Sequence, residues 1–372
     1  MDAIFFPRND YPNNVEICKH RFGKTMTYTE NTDTLRLSTS YDWFLEQAKQ
    51  RNIKVSAFAW YTDFKDASFY KAKQDYDNGD LWLDIYALCP TIEDKIVHGD
   101  TISQEEWNEA YYTYLLPSFM DALGKKPLAL AASYGNITYQ DYVVQMLAIK
   151  NSIPQSELDY SQYPTNYGIG CGSPNNIAYS FSGYHSMRST TRWFDNAVVK
   201  GAKQDPTIFN SILTEVSNNI DLTLQNGGWF HNFTHWHNVY TPNNPEIDYR
   251  TQYSSYFDIL ANKNANGDIY FAGYGEAVAY LVYRQLITKA VMYSPVSNPS
   301  GELIIRLEAQ NTLGIDADLL QIPISVKFST IGTPLAGKTL SSKCNLVNLG
   351  SGDYIVEIPY TGRFPYAVIK GN

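Results

Sequence analysis

Residues 228–237 read Gly-Trp-Phe-His-Asn-Phe-Thr-His-Trp-His, which places three of the chain's six histidines in one short aromatic run. On a strand, residues two apart share a face. His231, His235 and His237 are all odd-numbered, so a single strand through this run is expected to aim three imidazoles the same way. Imidazoles are proton shuttles and metal ligands near neutral pH. The alternative for His235 is a histidine packed between Trp229, Phe233 and Trp236 and bonded to backbone. Trp82, Trp229, Trp236 and Tyr134 supply flat aromatic faces, which either stack on sugar rings or fill a core.

The elements that would position these groups alternate between strand and helix up to about residue 290. Candidate strands are Thr25–Thr29, Lys54–Trp60, Leu81–Ala87, Leu128–Ala132 and Asp268–Ala272. Candidate helices are Ser40–Gln50, Tyr139–Lys150, Tyr249–Leu260 and Gly275–Lys289. A long helix follows the capping box of Ser103 and Glu106 and is interrupted near Pro117. Asp205-Pro206 opens another helix and Gly227-Gly228 closes it, delivering the chain into the histidine run. Such alternation implies parallel strands with covering helices, in a barrel or an incomplete one. Gln155–Tyr184 fits no periodic template and reads as a long functional loop. After the Pro/Ser/Gly-rich linker at 294–301 come alternating strands at Glu302–Glu308, Gln321–Phe328, Asp353–Pro359 and Tyr366–Lys370. They predict a small all-β sandwich over 294–372 beside a barrel over 1–293.

The bulk numbers narrow the function. Of 372 residues 44% are hydrophobic and 18% charged, enough for a sizeable core. The formal net charge of −9, with no basic stripe, argues against nucleic acid or an anionic membrane as partner. Cys18, Cys89, Cys171 and Cys344 are far apart and form no CxxC, so neither a zinc ribbon nor a disulfide framework is expected. The first residues show no signal-peptide pattern, and no apolar run reaches membrane-spanning length. The compartment stays open: extracellular, cell-surface and virion-associated settings all suit the sequence. Thirty tyrosines suit surfaces that bind sugars or proteins, and equally a compositional bias.

The order of elements over about residues 20–290 resembles the polysaccharide deacetylase superfamily. Thr27-Tyr28-Thr29-Glu30-Asn31 stands where that family has a Thr-Phe-Asp-Asp strand end. Asn78 through Leu88 occupies the slot of its histidine motif. Ala131-Ala132-Ser133-Tyr134-Gly135 is similar to its Arg/Tyr-x-Pro-Tyr-Gly motif, and Gly228-Trp229 through His235 to its late strand ending in histidine. The resemblance implies a distorted (β/α) barrel and a metal-assisted removal of acyl groups from sugars. It places Thr29 at the family's base and Glu30 at its metal-binding aspartate. Asp84 and Leu88 fall at its two metal histidines. His235 falls at its leaving-group acid.

Thr29 cannot act as a base at neutral pH, and Leu88 cannot ligate. The resemblance therefore implies a degraded site in which Glu30 and Asp84 hold a divalent metal weakly or not at all. On this reading Glu30, Asp84 and His235 are the catalytic candidates. Tyr134, Trp82, Trp229, Trp236 and Arg188 are the substrate-binding ones. The expected function is a carbohydrate-active barrel that acts on a glycan or binds it. One alternative is an inactive structural or adhesion subunit of a larger assembly, an oligomer or a virus particle, that recognises surface sugar. Another is a glycoside hydrolase working through paired carboxylates.

Overall fold

The structure, a computed structural model, describes residues 11, 14–33, 38–60, 64, 67–86, 89–100, 102, 103, 106, 109–128, 130, 131, 206–241, 248–311, 317 and 320–372. Tyr134, Arg188, the Gln155–Tyr184 segment and the helix expected at Tyr139–Lys150 lie outside these residues. The chain divides into two compact units, one of Thr25–Val278 and one of Met1–Lys24 with Ala279–Asn372.

In chain order the elements are β1 (Val15–Ile17), β2 (Met26–Asp33), α1 (Ser38–Lys49), β3 (Val55–Ala59), α2 (Ala67–Asp77), β4 (Leu81–Tyr86) and α3 (Pro90–His98). A short π-helix at Tyr111–Leu115 leads into α4 (Leu116–Leu123), then β5 (Leu130–Ala131). There follow α5 (Pro206–Asn226), β6 (Trp229–Phe233), α6 (Trp236–Val239), α7 (Arg250–Lys263), β7 (Ile269–Phe271) and α8 (Tyr274–Leu286). The remaining strands are β8 (Ile287–Tyr293), β9 (Glu302–Ala309), β10 (Ile324–Ser329), β11 (Leu340–Ser342), β12 (Leu346–Gly350), β13 (Asp353–Ile358) and β14 (Tyr366–Gly371).

The Thr25–Val278 unit is built on a parallel sheet in the order β5-β4-β3-β2-β6. One face carries Met26 and Tyr28, Val55, Ala57 and Ala59, Leu81 and Leu83, and Phe230. These pack in one core with Phe44 and Leu45 of α1, Phe69 of α2, Phe209 and Val216 of α5, and Tyr253, Phe257 and Leu260 of α7. Burial of such apolar area, worth roughly 25 cal/mol per Å², is what holds helices to sheet. The helix boundaries follow local chemistry. Ser103 and Glu106 exchange backbone-to-side-chain hydrogen bonds at 2.8 and 3.3 Å, the expected capping box. Gly227 takes φ +62 at the end of α5, where only glycine adopts the left-handed turn without strain.

The sheet forks at β2. Its residues Thr27–Asn31 pair β6 on one edge. The other edge is shared: Met26–Tyr28 pair β7, and Glu30–Asp33 pair β3. β7 therefore runs up against the start of β3 and cannot continue in the sheet. The chain leaves at Ala272 and Gly273, and α8 begins on the sheet face opposite the α1/α5/α7 layer. Among the described residues the parallel sheet is forked and does not close, so the expected α/β architecture on a parallel sheet is present there without a closed barrel.

The second unit holds two four-stranded antiparallel sheets, β1-β10-β13-β12 and β11-β14-β9-β8. Leu303, Ile305, Leu307 and Ala309 of β9 alternate with more exposed neighbours, the pattern of a strand with one face in a core. The expected boundary at 293/294 is displaced. β8 already belongs to these sheets, and β1, from the other end of the chain, pairs β10 through Val15↔Phe328 and Ile17↔Val326. Arg21 extends this anchoring by forking onto Glu357 at 2.6 and 3.2 Å. Among the described residues no helix is long and apolar enough to cross a membrane.

Candidate functional site

Glu30 and Asp84 are on different faces of one sheet. In register, Glu30 stands beside Val55, which stands beside Leu81. Asp84 belongs to the row Asp33, Phe58, Asp84. Side chains in one row share a face and adjacent rows alternate, so Glu30 points into the helix layer and Asp84 away from it. The expectation that the two carboxylates meet in one pocket is corrected by this register.

Glu30 is completely buried. Its carboxyl accepts hydrogen bonds from the Tyr28 hydroxyl at 2.5 Å, the Tyr253 hydroxyl at 2.5 Å and the Asn232 amide at 2.9 Å. Tyr256 closes the cluster by a hydroxyl contact with Tyr28, and the Thr234 hydroxyl lies 2.9 Å from that of Tyr253. Burial raises the Glu30 pKa to about 7, opposed by the donors from Tyr253, Tyr28 and Asn232. Burial likewise pushes all three tyrosines well above their usual value. This is a polar knot inside a helix–sheet interface. The sequence carried its signal: Tyr28 and Glu30 are two apart on a strand, and Tyr253 and Tyr256 are three apart on a helix, so each pair shares a face.

Asp84 is also fully buried, and α8 explains why. The first N–H groups of a helix have no partner within it. Here the Gly275 N–H donates to Asp84 at 3.0 Å, the Tyr274 N–H to the Ser56 hydroxyl at 2.6 Å, and the Gly273 N–H to Glu276 at 3.1 Å. Asp84 further accepts the Leu128 N–H at 3.1 Å and the Trp82 indole N–H at 2.8 Å. The negative charge sits at the positive end of the helix dipole. Glycines allow the approach. A Cβ on Gly273 would come 2.1 Å from the Trp82 ring, and one on Gly275 would come 2.3 Å from an Asp84 oxygen. Lys54 pairs with Glu276 at 3.1 Å.

The tryptophans have structural neighbours. Trp236 is in the core, stacked on Tyr41 at 4.6 Å. Trp229 is buried, lies 4.8 Å from the Tyr274 ring and donates its indole N–H to Thr29. Trp82 is covered by the Lys125 ammonium 4.1 Å from its ring, and that ammonium also lies 4.3 Å from the Tyr76 ring. The Lys125 ammonium is buried without a hydrogen-bond partner, and burial lowers its pKa to about 8 against the pull of Asp84 and Glu276. A cation over aromatic faces is the compensating attraction.

The histidine run does not form one strand. β6 ends at Phe233, and residues 236–239 turn into α6, so the alternation that would align His231, His235 and His237 is broken after the first of them. His235 is the N-cap of α6, half-buried, with its carbonyl accepting the Asn238 N–H at 2.9 Å. It stands beyond the carboxyl end of β6, next to Thr234 of the Glu30 cluster.

A divalent metal shared by Glu30 and Asp84 does not fit these residues. One carboxyl is enclosed by tyrosines, the other has three N–H donors, and the sheet lies between them. Among the described residues no group of three or more His, Cys, Asp or Glu side chains is arranged to hold a metal ion. Hydrolysis by paired carboxylates requires both acids to flank one glycosidic bond, which opposite faces of a sheet do not permit.

No protein-family profile matches the chain, and no curated protein matches it. Several solved structures do. A proposed polysaccharide deacetylase from Mycobacterium smegmatis is 10% identical, with a TM-score of 0.42 over 76% of this chain and 98% of that one. A family 4 carbohydrate esterase from Streptomyces lividans, solved with acetate, is 11% identical, with a TM-score of 0.36 over 66% and 91%. A mutant CE4 family pseudoenzyme with restored enzymatic activity is 13% identical, with a TM-score of 0.40 over 68% of each chain. At such scores no residue role carries over from them.

Proposed function

We propose that this chain binds a glycan and does not hydrolyse it through the Glu30/Asp84 pair. The observation that carries this reading is Asp84, whose oxygens meet the N–H groups of Gly275, Leu128 and Trp82. A carboxylate so engaged is a helix cap. Freeing it for a metal or a water would strand buried donors, at about 1–3 kcal/mol for each. Glu30 supports the same reading, because it is sealed on the other face with its proton held to about pH 7. The sugar part draws on the sequence resemblance to sugar deacetylases and on the tyrosine-rich composition.

The test has two arms. The full chain, with zinc or cobalt added, is incubated with acetylated chitooligosaccharide and acetylated xylan, and acetate is measured. It is also run through gels containing those polysaccharides. Retardation with acetate at the level of the blank is the expected result. Acetate release that Asp84→Asn removes from a folded protein overturns the non-hydrolytic part, and migration unaffected by every polysaccharide overturns the glycan part.

A further inference from the structure

We infer that the outer face of the β11-β14-β9 sheet is a binding groove for an acidic oligosaccharide, one bearing carboxylates on its rings. The inference rests on the glycan reading above and assigns its place and ligand class.

The groove is open, with a volume of about 1030 Å³, at the upper limit for small-molecule clefts. Tyr366 and Phe364 lie in its lining at 59% and 47% exposure. Large aromatics left in water at this level are where a ring ligand gains by stacking. Ser341, Thr361 and Lys343 are exposed around them and offer hydroxyl and ammonium partners to sugar hydroxyls and carboxylates.

The charge at this face is opposite to that of the chain. Tyr366 stands in register with Arg306, whose guanidinium lies 5.6 Å from the Phe364 ring. Arg363 lies 5.1 Å from the same ring. Lys370 is matched by Glu302 at 3.3 Å and Arg363 by Glu308 at 3.8 Å. Among the described residues Lys343 and Arg306 have no carboxylate within ion-pair distance, so the face keeps excess positive charge on a chain of formal charge −9. The lining holds the unpaired Lys343 and the paired Lys370 and Glu302, with Arg306 and Arg363 beside it on the Phe364 ring, and these cations with the hydroxyls and exposed rings complement a uronate chain, with one charge per sugar. The more densely charged nucleic-acid backbone would meet the overall −9.

Cys344 reports on the groove directly, since it contributes to the lining as a free, half-buried thiol. Alkylation of Cys344 in the full chain by iodoacetamide is followed by peptide mass spectrometry, with hexagalacturonate, a neutral cellohexaose or a single-stranded oligonucleotide present. Hexagalacturonate at roughly ten times its Kd slows alkylation about tenfold. Cellohexaose protects less, and Tyr366→Ala and Lys343→Glu each remove the protection. Both residues are exposed, so both variants are expected to fold.

Alkylation indifferent to hexagalacturonate overturns the inference. So does protection that survives both substitutions, or stronger protection by cellohexaose or the oligonucleotide. The gel experiment separates the two claims. With polygalacturonate in the gel, if Tyr366→Ala is retarded as the wild type is, the groove assignment fails and glycan binding stands. If the wild type is not retarded by any glycan, the broader reading fails.

Discussion

Glu30 links protonation to stability. Its pKa rises from the usual 4.5 to about 7 on folding because burial disfavours the charged form. Below the unfolded value both states hold the proton and the contribution is complete. As pH rises from about 4.5 to about 7 the unfolded chain releases its proton first, so stability falls, by about 3 kcal/mol in all. Glu30→Gln cannot titrate. In urea melts across this window the wild type should lose stability relative to the variant by about that amount; a difference that stays constant with pH would contradict the assignment. Gly275→Ala is a second test at this scale, because its Cβ would come 2.3 Å from Asp84. We expect a loss of about 2–3 kcal/mol, in the range of an overpacked core site. Glu30 and Asp84 were both legible as unusual carboxylates in strands. Their roles were not, because alignment to a motif fixes chain position and leaves the face of the strand unstated. The parity of the register supplies it.

The start of α8 depends on contacts distant in sequence. Its first turn is capped by Ser56 of β3, Asp84 of β4 and its own Glu276. Asp84→Ala should cost about 3 kcal/mol, since several buried N–H groups lose a charged acceptor. Hydrogen exchange at Gly275 and Leu128 should accelerate more than elsewhere in the sheet; unchanged protection at both amides would refute the cap. Most of the longer helices and the central strands were readable from periodicity and end signals: the α1 stripe of Trp43, Phe44 and Ala48, the Pro206 start and Gly227 stop of α5, and the Ser103–Glu106 box, while α2 and α3 were not anticipated. Of the short strands, β5 and β7 were anticipated, and β1, β11 and β12, at three to five residues, were not, because such lengths carry too few alternations to show a period. The histidine run misled for a related reason. Its alternation was real, but the chain leaves the strand at Thr234, where the Thr234 N–H bonds the Asn31 carbonyl and a helical turn follows.

For the whole molecule, two units are each completed by residues far apart in sequence. The antiparallel unit takes β1 and Arg21 from the beginning of the chain, and Arg21 forks onto Glu357, which also accepts from Asn345 at 3.0 Å. Both side chains of this pair are largely buried, so removing one partner leaves the other uncompensated. Arg21→Ala is expected to cost about 3 kcal/mol, read as a lowered unfolding midpoint; a loss below about 0.5 kcal/mol would mark the pair as an ordinary surface contact. Strand–helix alternation up to about residue 290 and strand alternation after it indicated a parallel α/β part and an antiparallel part. It did not show that the first strand belongs with the last ones, because strand pairing across some three hundred residues leaves no local pattern.

The central claim is that the Asp84 carboxylate is engaged by the start of α8. It is tested most directly by titrating zinc into the isotopically labelled full chain while following the Gly275 and Leu128 amide resonances. The account predicts two protected signals that stay in place through millimolar metal. Saturable shifts or broadening at both amides, lost in Asp84→Asn, would show the carboxylate free to bind and contradict it.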